Sequence, residues 1–248
     1  MENYILECCV DRLASAINGE KGGANRFELC ANLVIGGTTP SLTLFRQVRK
    51  HTNLPIHVLI RNRFGDFCYN DDEIEEMCDS IKAFADEGAD GVVVGALTPE
   101  GDLDERALKK FIEAAEKAKV VLHRAFDMCK EPFAALSKAK ELGIDTILTS
   151  GQKGNCVDGS PLIKELIERA GKEINILIGA GVSADVIKKV YEMTRGTNYH
   201  MSGKRVIDSR MTYRREEVSM GLPSLSEYDI WETSADEIAK AVKVLKEL

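Results

Sequence analysis

Two short runs in this chain repeat one chemical pattern. Glu7-Cys8-Cys9 and Glu28-Leu29-Cys30 both read Glu-x-Cys, and the copies stand 21 residues apart. A carboxylate can serve as a general acid or base and a thiolate as a soft metal ligand, so each run offers both chemistries. Further polar groups follow: Arg61 and Arg63 before Gly65-Asp66-Phe67, then His123-Arg124-Ala125-Phe126-Asp127, then Thr149-Ser150-Gly151. Gly179-Ala180-Gly181, His200 and Ser202 complete the set. Glu7, Glu28, His123 and His200 are the candidate acid–base groups. Arg61, Arg63 and Arg124 could clamp an anion, since a guanidinium fork binds two oxygens at once. Ser150, Gly179, Gly181 and Ser202 could hold a phosphate through hydroxyl and backbone amide groups.

Each feature also has a plainer reading. Paired Glu and Arg on strands can form an internal salt-bridge layer, with Arg61 and Arg63 as the partners expected for Glu7 and Glu28. Cysteine is among the most buried residue types, and glycines often serve only tight turns. The argument for a site rests on the placement of all these groups at the ends of strands.

Those strands are short β-branched runs that alternate with longer amphipathic stretches. They are expected at Ile5 to Val10, Arg26 to Cys30, Ile56 to Arg61, Gly91 to Gly95, Val120 to Arg124, Thr146 to Ser150, Asn175 to Gly179 and Asn198 to Ser202. Most are too apolar to have a wet face, as parallel strands covered by helices are. Thr39-Pro40 and Ser160-Pro161 read as a capping hydroxyl before a first-turn proline. Pro132 opens a helix that Gly143 closes, and Gly171 closes the one after Ser160. Leu108, Phe111, Ile112 and Ala115 give one buried helical stripe, and Ser234 with Glu237 reads as a capping box. Eight strand–helix units in 248 residues predict a single-domain TIM-like (β/α)8 barrel over 1–248. A doubly wound open sheet is the competitor, but no G-x-G-x-x-G follows the first strand. In a barrel, alternate residues point inward. If the glutamates do, Cys9 and Cys30 do too, and Cys8 faces the helices.

One connection is long, 203–233, ahead of the last helix. It carries Met211, Tyr213, Met220, Leu222, Leu225, Tyr228 and Trp231, which need a covering surface, either the barrel's own rim or a neighbouring subunit, and a homo-oligomer is the expectation. With 33 basic and 40 acidic residues the net charge is −7, which argues against nucleic-acid and anionic-membrane partners. No apolar run approaches the ~18 residues of a membrane span, and the N-terminus lacks a signal-peptide pattern. Seven cysteines, an odd number in a chain this large, suit a reducing compartment, and a cytoplasmic location is expected.

At the strand ends the sequence resembles the copper homeostasis protein CutC family. The resemblance is carried by Glu7-x-Cys9-Val10-Asp11, Arg26-x-Glu28-Leu29-Cys30, Gly36-Gly37-Thr38-Thr39-Pro40-Ser41, Ile60-Arg61-x-Arg63, Gly65-Asp66-Phe67-x-Tyr69, His123-Arg124-Ala125-Phe126-Asp127 and Leu148-Thr149-Ser150-Gly151. Asn62 stands where the family usually has proline. The resemblance implies a TIM-like barrel and copper handling, with Cu(I) bound through Cys9 and Cys30. Neighbouring parallel strands lie about 4.8 Å apart, so two inward thiols could share an ion. Two functions therefore compete. One is cytosolic Cu(I) binding. The other is an enzyme acting on a small anionic or phosphorylated substrate with the Glu/His groups and an arginine clamp, for which a divalent metal on Glu7, Glu28 and His123 is an option.

Overall fold

The computed structural model describes residues 4–215, 217–221 and 225–248. Eight parallel strands close into a barrel in chain order, the last pairing with the first. They are β1 (Ile5–Val10), β2 (Arg26–Leu29), β3 (Ile56–Leu59), β4 (Gly91–Val94), β5 (Lys119–Leu122), β6 (Thr146–Thr149), β7 (Asn175–Ile178) and β8 (Asn198–Met201). The covering helices are α1 (Leu13–Gly22), α2 (Leu42–Arg49), α3 (Asp71–Asp86), α4 (Glu105–Ala115), α5 (Pro132–Glu141), α6 (Ser160–Ala170), α7 (Ala184–Thr194) and α8 (Ala235–Glu247). The fold is a single-domain TIM-like (β/α)8 barrel. None of the described helices is long and apolar enough to cross a membrane.

Strand parity separates two layers. Cys9, Cys30, Leu59, Val93 and Val121 form a cluster inside the barrel. Cys8 belongs to the large core between strands and helices. There α1 packs so closely that a Cβ on Gly19 would stand 2.9 Å from the Phe27 ring and 3.2 Å from the Cys8 sulfur.

Several local expectations are corrected. Strands two to eight stop one or two residues early, because the chain turns into its loops above the ladder. At the top of β3, the Arg61 N–H donates to Thr39 Oγ1 at 2.9 Å and the Thr39 N–H donates to the Arg61 carbonyl at 2.9 Å. Thr39 is thus a brace for Arg61 and not a helix cap. Ser41 caps α2, accepting from the Leu44 N–H at 3.1 Å. Ser160 is the first residue of α6, and its hydroxyl donates to the Cys156 carbonyl at 2.8 Å. Ser234 caps α8, while the Glu237 carboxylate takes the Lys240 ammonium at 2.6 Å.

The 203–233 segment contains structure of its own. β9 (Lys204–Asp208) pairs antiparallel with β10 (Asp229–Thr233), placing Trp231 opposite Val206. Arg12 and Asn18 donate to the Trp231 and Thr233 carbonyls at 3.2 and 3.0 Å, fastening the ribbon against α1. Met211, Tyr213 and Met220 are exposed, and Leu222 lies outside the described residues.

Candidate metal and ligand site in the barrel mouth

The register of the strands builds the site. Glu7 stands opposite Arg26 on one side and His200 on the other, while Glu28 stands opposite Cys9 and His57. All of these side chains point inward. Arg26 Nε donates to Glu7 Oε2 at 2.5 Å, and His200 Nδ1 lies 2.8 Å from Glu7 Oε1 and 3.3 Å from Glu28 Oε2. His57 Nδ1 is 3.7 Å from Glu7.

This surrounding charge sets the protonation of each group. Burial pushes the Glu7 carboxyl up, but Arg26, His200 and His57 outweigh it and hold Glu7 well below the usual carboxylate range. Burial pushes Glu28 up to about 7, with His200 opposing and the Glu7 charge adding to the rise. Burial also disfavours a charge on His200, yet Glu28, Cys9 and Glu7 keep its imidazole protonated well above its usual range. The Cys9 thiol is raised by its hydrogen bond with Cys30, then by burial and the nearby Glu28. Cys9 Sγ and Cys30 Sγ are 3.8 Å apart.

One set of side chains converges as metal ligands would. Cys9, Glu28 and His200 each offer a donor atom, all within 4.8 Å of one another. Glu28 Oε2 is buried and makes no hydrogen bond, its one ion-pair contact among the described residues being with His200. A sulfur, an imidazole nitrogen and a carboxylate with a spare lone pair fit a transition-metal ion. This corrects the divalent-metal set Glu7, Glu28 and His123, because Glu7 is committed to Arg26 and His123 stands elsewhere in the wall.

Above the cluster opens a cavity of about 680 Å³. Cys9, Glu28, Arg61, His123, Arg124, Gly181, His200 and Ser202 line it, together with Phe67 and Trp231. Glu7 lies beneath this floor, and Cys30 sits against Gly37 and Leu59, where a Cβ on Gly37 would come within 2.7 Å of Leu59. Gly179 serves packing, since a Cβ there would meet Leu148 at 2.7 Å.

The arginines do not pair with Glu7 and Glu28 as expected. Arg61 lies too far toward the mouth, where its Nη groups donate to the carbonyls of Gly37 and Gly65 at 3.1 and 2.8 Å. Arg63 turns outward to Glu73, Asp66 and the Cys68 carbonyl. Arg124 is bound to Asp127 at 2.7 Å. Ser150 is fully buried and donates to the same aspartate at 2.9 Å, so it is occupied within the wall. Sequence reasoning passed over Arg26 and His57 because both lie low on their strands. Their parity with Glu28 and Arg61 was the available signal.

Known proteins similar to this chain in sequence fall in one family. The CutC family model matches residues 4–205. The human "Copper homeostasis protein cutC homolog" is 39% identical over 246 residues, covering 99% of this chain and 90% of that one. A "family protein CutC" of Pasteurella multocida is 40% identical, covering 96% of this chain and 97% of that one. A crystal structure of CutC from Streptococcus agalactiae superposes with a TM-score of 0.77 at 29% identity, covering 80% of this chain and 98% of that one.

Proposed function

The chain belongs to the CutC family, and from that premise we propose that it handles copper as cargo, binding Cu(I) at the floor of the barrel mouth. Cys9 and His200 are the principal ligands, Glu28 the third, and Cys30 lies within reach of Cys9. The observation that carries this reading is the convergence of the three donor atoms within 4.8 Å. The thiolate favours a soft ion, imidazole suits copper, and the copper homeostasis role printed for the relatives points to which ion. Binding must displace the protons held by Cys9 and His200, so proton release accompanies it.

Competition titration with a Cu(I) chelator under anaerobic, reducing conditions tests the reading. Cys9→Ser and His200→Ala should each lose at least about a hundredfold in affinity, and Cys30→Ser about tenfold. Ser replacements at Cys68, Cys78, Cys129 and Cys156 should change nothing. Unaltered stoichiometry and affinity in the Cys9→Ser/Cys30→Ser double variant would remove the site.

We also place the protein in the cytoplasm, where its cysteines, all free, would stay reduced. The exposed Met211, Tyr213 and Met220 support self-association, and sedimentation across a wide concentration range tests it.

A further inference from the structure

Arg61 is a buried cation without an anion. Only 7% of it is exposed, and no carboxylate among the described residues lies within ion-pair distance. Two backbone carbonyls take its Nη groups, but its Nε–H is buried with no acceptor. A desolvated guanidinium held by carbonyl dipoles and aromatic faces, with no anion, is costly, and such a charge is normally paired.

His123 presents a second orphan donor beside it. Its Nδ1 accepts the Ala125 N–H at 3.0 Å, so the proton of the neutral ring sits on Nε2, and that atom is buried without a partner. Burial and the Arg61 charge keep the ring neutral, pushing its pKa down to about 3. Both groups pack on Phe67, with the Arg61 carbon 5.2 Å and the His123 ring centre 4.8 Å from its ring centre. Both line the cavity.

We infer that the cavity binds a small organic carboxylate, whose oxygens are taken by Arg61 Nε–H and His123 Nε2–H and whose apolar body lies against Phe67 and Trp231. The cavity's volume of about 680 Å³ is far more than one metal ion needs and lies within the ~300–1,000 Å³ of small-molecule pockets. One unpaired buried guanidinium and one neutral donor match a single negative charge. Arg124 is paired with Asp127, and the Lys204 ammonium sits 3.5 Å from the centre of the Trp231 ring. Glu28 and Glu237, also in the lining, are taken up by His200 and Lys240. Among the described lining residues, Arg61 is the buried cation left over, Lys204 being exposed. The inference does not depend on copper, because neither Arg61 nor His123 belongs to the converging ligand set.

Trp231 is the chain's one tryptophan and a built-in reporter. Metal-free, chelator-treated protein would be titrated with benzoate, benzyl alcohol and phenyl phosphate at constant ionic strength. Benzoate should change Trp231 fluorescence saturably and bind about tenfold or more tightly than the other two. Arg61→Lys should weaken benzoate by about tenfold, because lysine lacks the Nε–H that the Gly37 and Gly65 carbonyls hold in place, and Arg61→Met should abolish discrimination between benzoate and benzyl alcohol. Circular dichroism checks that each variant folds; if Arg61→Met does not, the wild-type ligand comparison and Arg61→Lys carry the test. No saturable benzoate response, equal binding of benzyl alcohol, tighter phenyl phosphate, or benzoate binding indifferent to Arg61 would each overturn the inference. Failure of Cu(I) titration leaves these outcomes unaffected.

Discussion

His200 meets Glu7 at the seam where the last strand of the barrel closes onto the first, Nδ1 to Oε1 at 2.8 Å. Closure of the fold and assembly of the site are therefore one event. Glu28 and Cys9 come from the first 30 residues, and the imidazole that completes their cluster arrives only when residue 200 docks.

The partner on the other side of Glu7 gives the first prediction. Arg26 and Glu7 are both buried, so removing one leaves the other charge unpaired in the interior. Arg26→Met should cost about 3–5 kcal/mol in urea unfolding. The Arg26→Met/Glu7→Gln double variant should lose less than the sum of the single losses. Additive losses would show that the two charges do not stabilise each other.

Much of this arrangement is legible in the sequence. Parity from the Glu-x-Cys repeat sends Cys9 and Cys30 into the barrel and Cys8 into the outer core. The partners of the glutamates are harder to read, because they depend on register between strands. Arg26 and Arg61 share a face of the barrel, but register alone sets Arg26 opposite Glu7 and leaves Arg61 nearer the mouth. The β9–β10 ribbon is hidden for a different reason. Its halves, Lys204–Asp208 and Asp229–Thr233, are separated by a long stretch of chain and carry no short hairpin turn between them.

Gly95 tests the placing of His123. A Cβ there would stand 2.5 Å from His123 Cε1 and 2.9 Å from the Ala125 Cβ. The ring cannot yield without losing its bond from the Ala125 N–H. Gly95→Ala should cost about 1–3 kcal/mol and weaken benzoate binding while leaving Cu(I) affinity within about twofold. Thermal unfolding and the two titrations measure all three; full stability would show that the ring has room to move.

Thiol reactivity should divide the seven cysteines sharply. Cys68 and Cys78 are partly exposed, whereas Cys8, Cys9, Cys30, Cys129 and Cys156 are buried. Burial also raises the Cys78 thiol, which makes it the slower of the two accessible groups. A disulfide reagent added to native, metal-free protein should count two fast thiols, and peptide mapping should locate them at these positions. Rapid labelling of Cys9 would mean that the barrel mouth opens far wider than its packing indicates.

The last prediction concerns acid. Burial, reinforced by Arg61, pushes His123 from its usual 6.5 down to about 3, and burial pushes His57 down to about 4. A histidine with a depressed folded value is neutral in the native state and takes up a proton when the chain unfolds. Its stabilising effect is complete above pH 6.5 and declines as pH falls below that value toward the folded one. Glu28, raised to about 7, acts in the opposite sense, since the native carboxyl holds a proton that the unfolded chain releases between pH 4.5 and 7. The wild-type slope therefore mixes both effects, and a difference measurement separates them. Urea unfolding of metal-free wild type and His123→Gln at pH 7, 6 and 5 should show the wild type losing about 1 kcal/mol more than the variant between pH 6 and 5, close to the ~1.4 kcal/mol per pH unit available from one proton. Parallel curves for the two proteins would mean that His123 gains its proton in the folded state as readily as in the unfolded chain, and the neutral Nε2–H donor assigned to it would be lost.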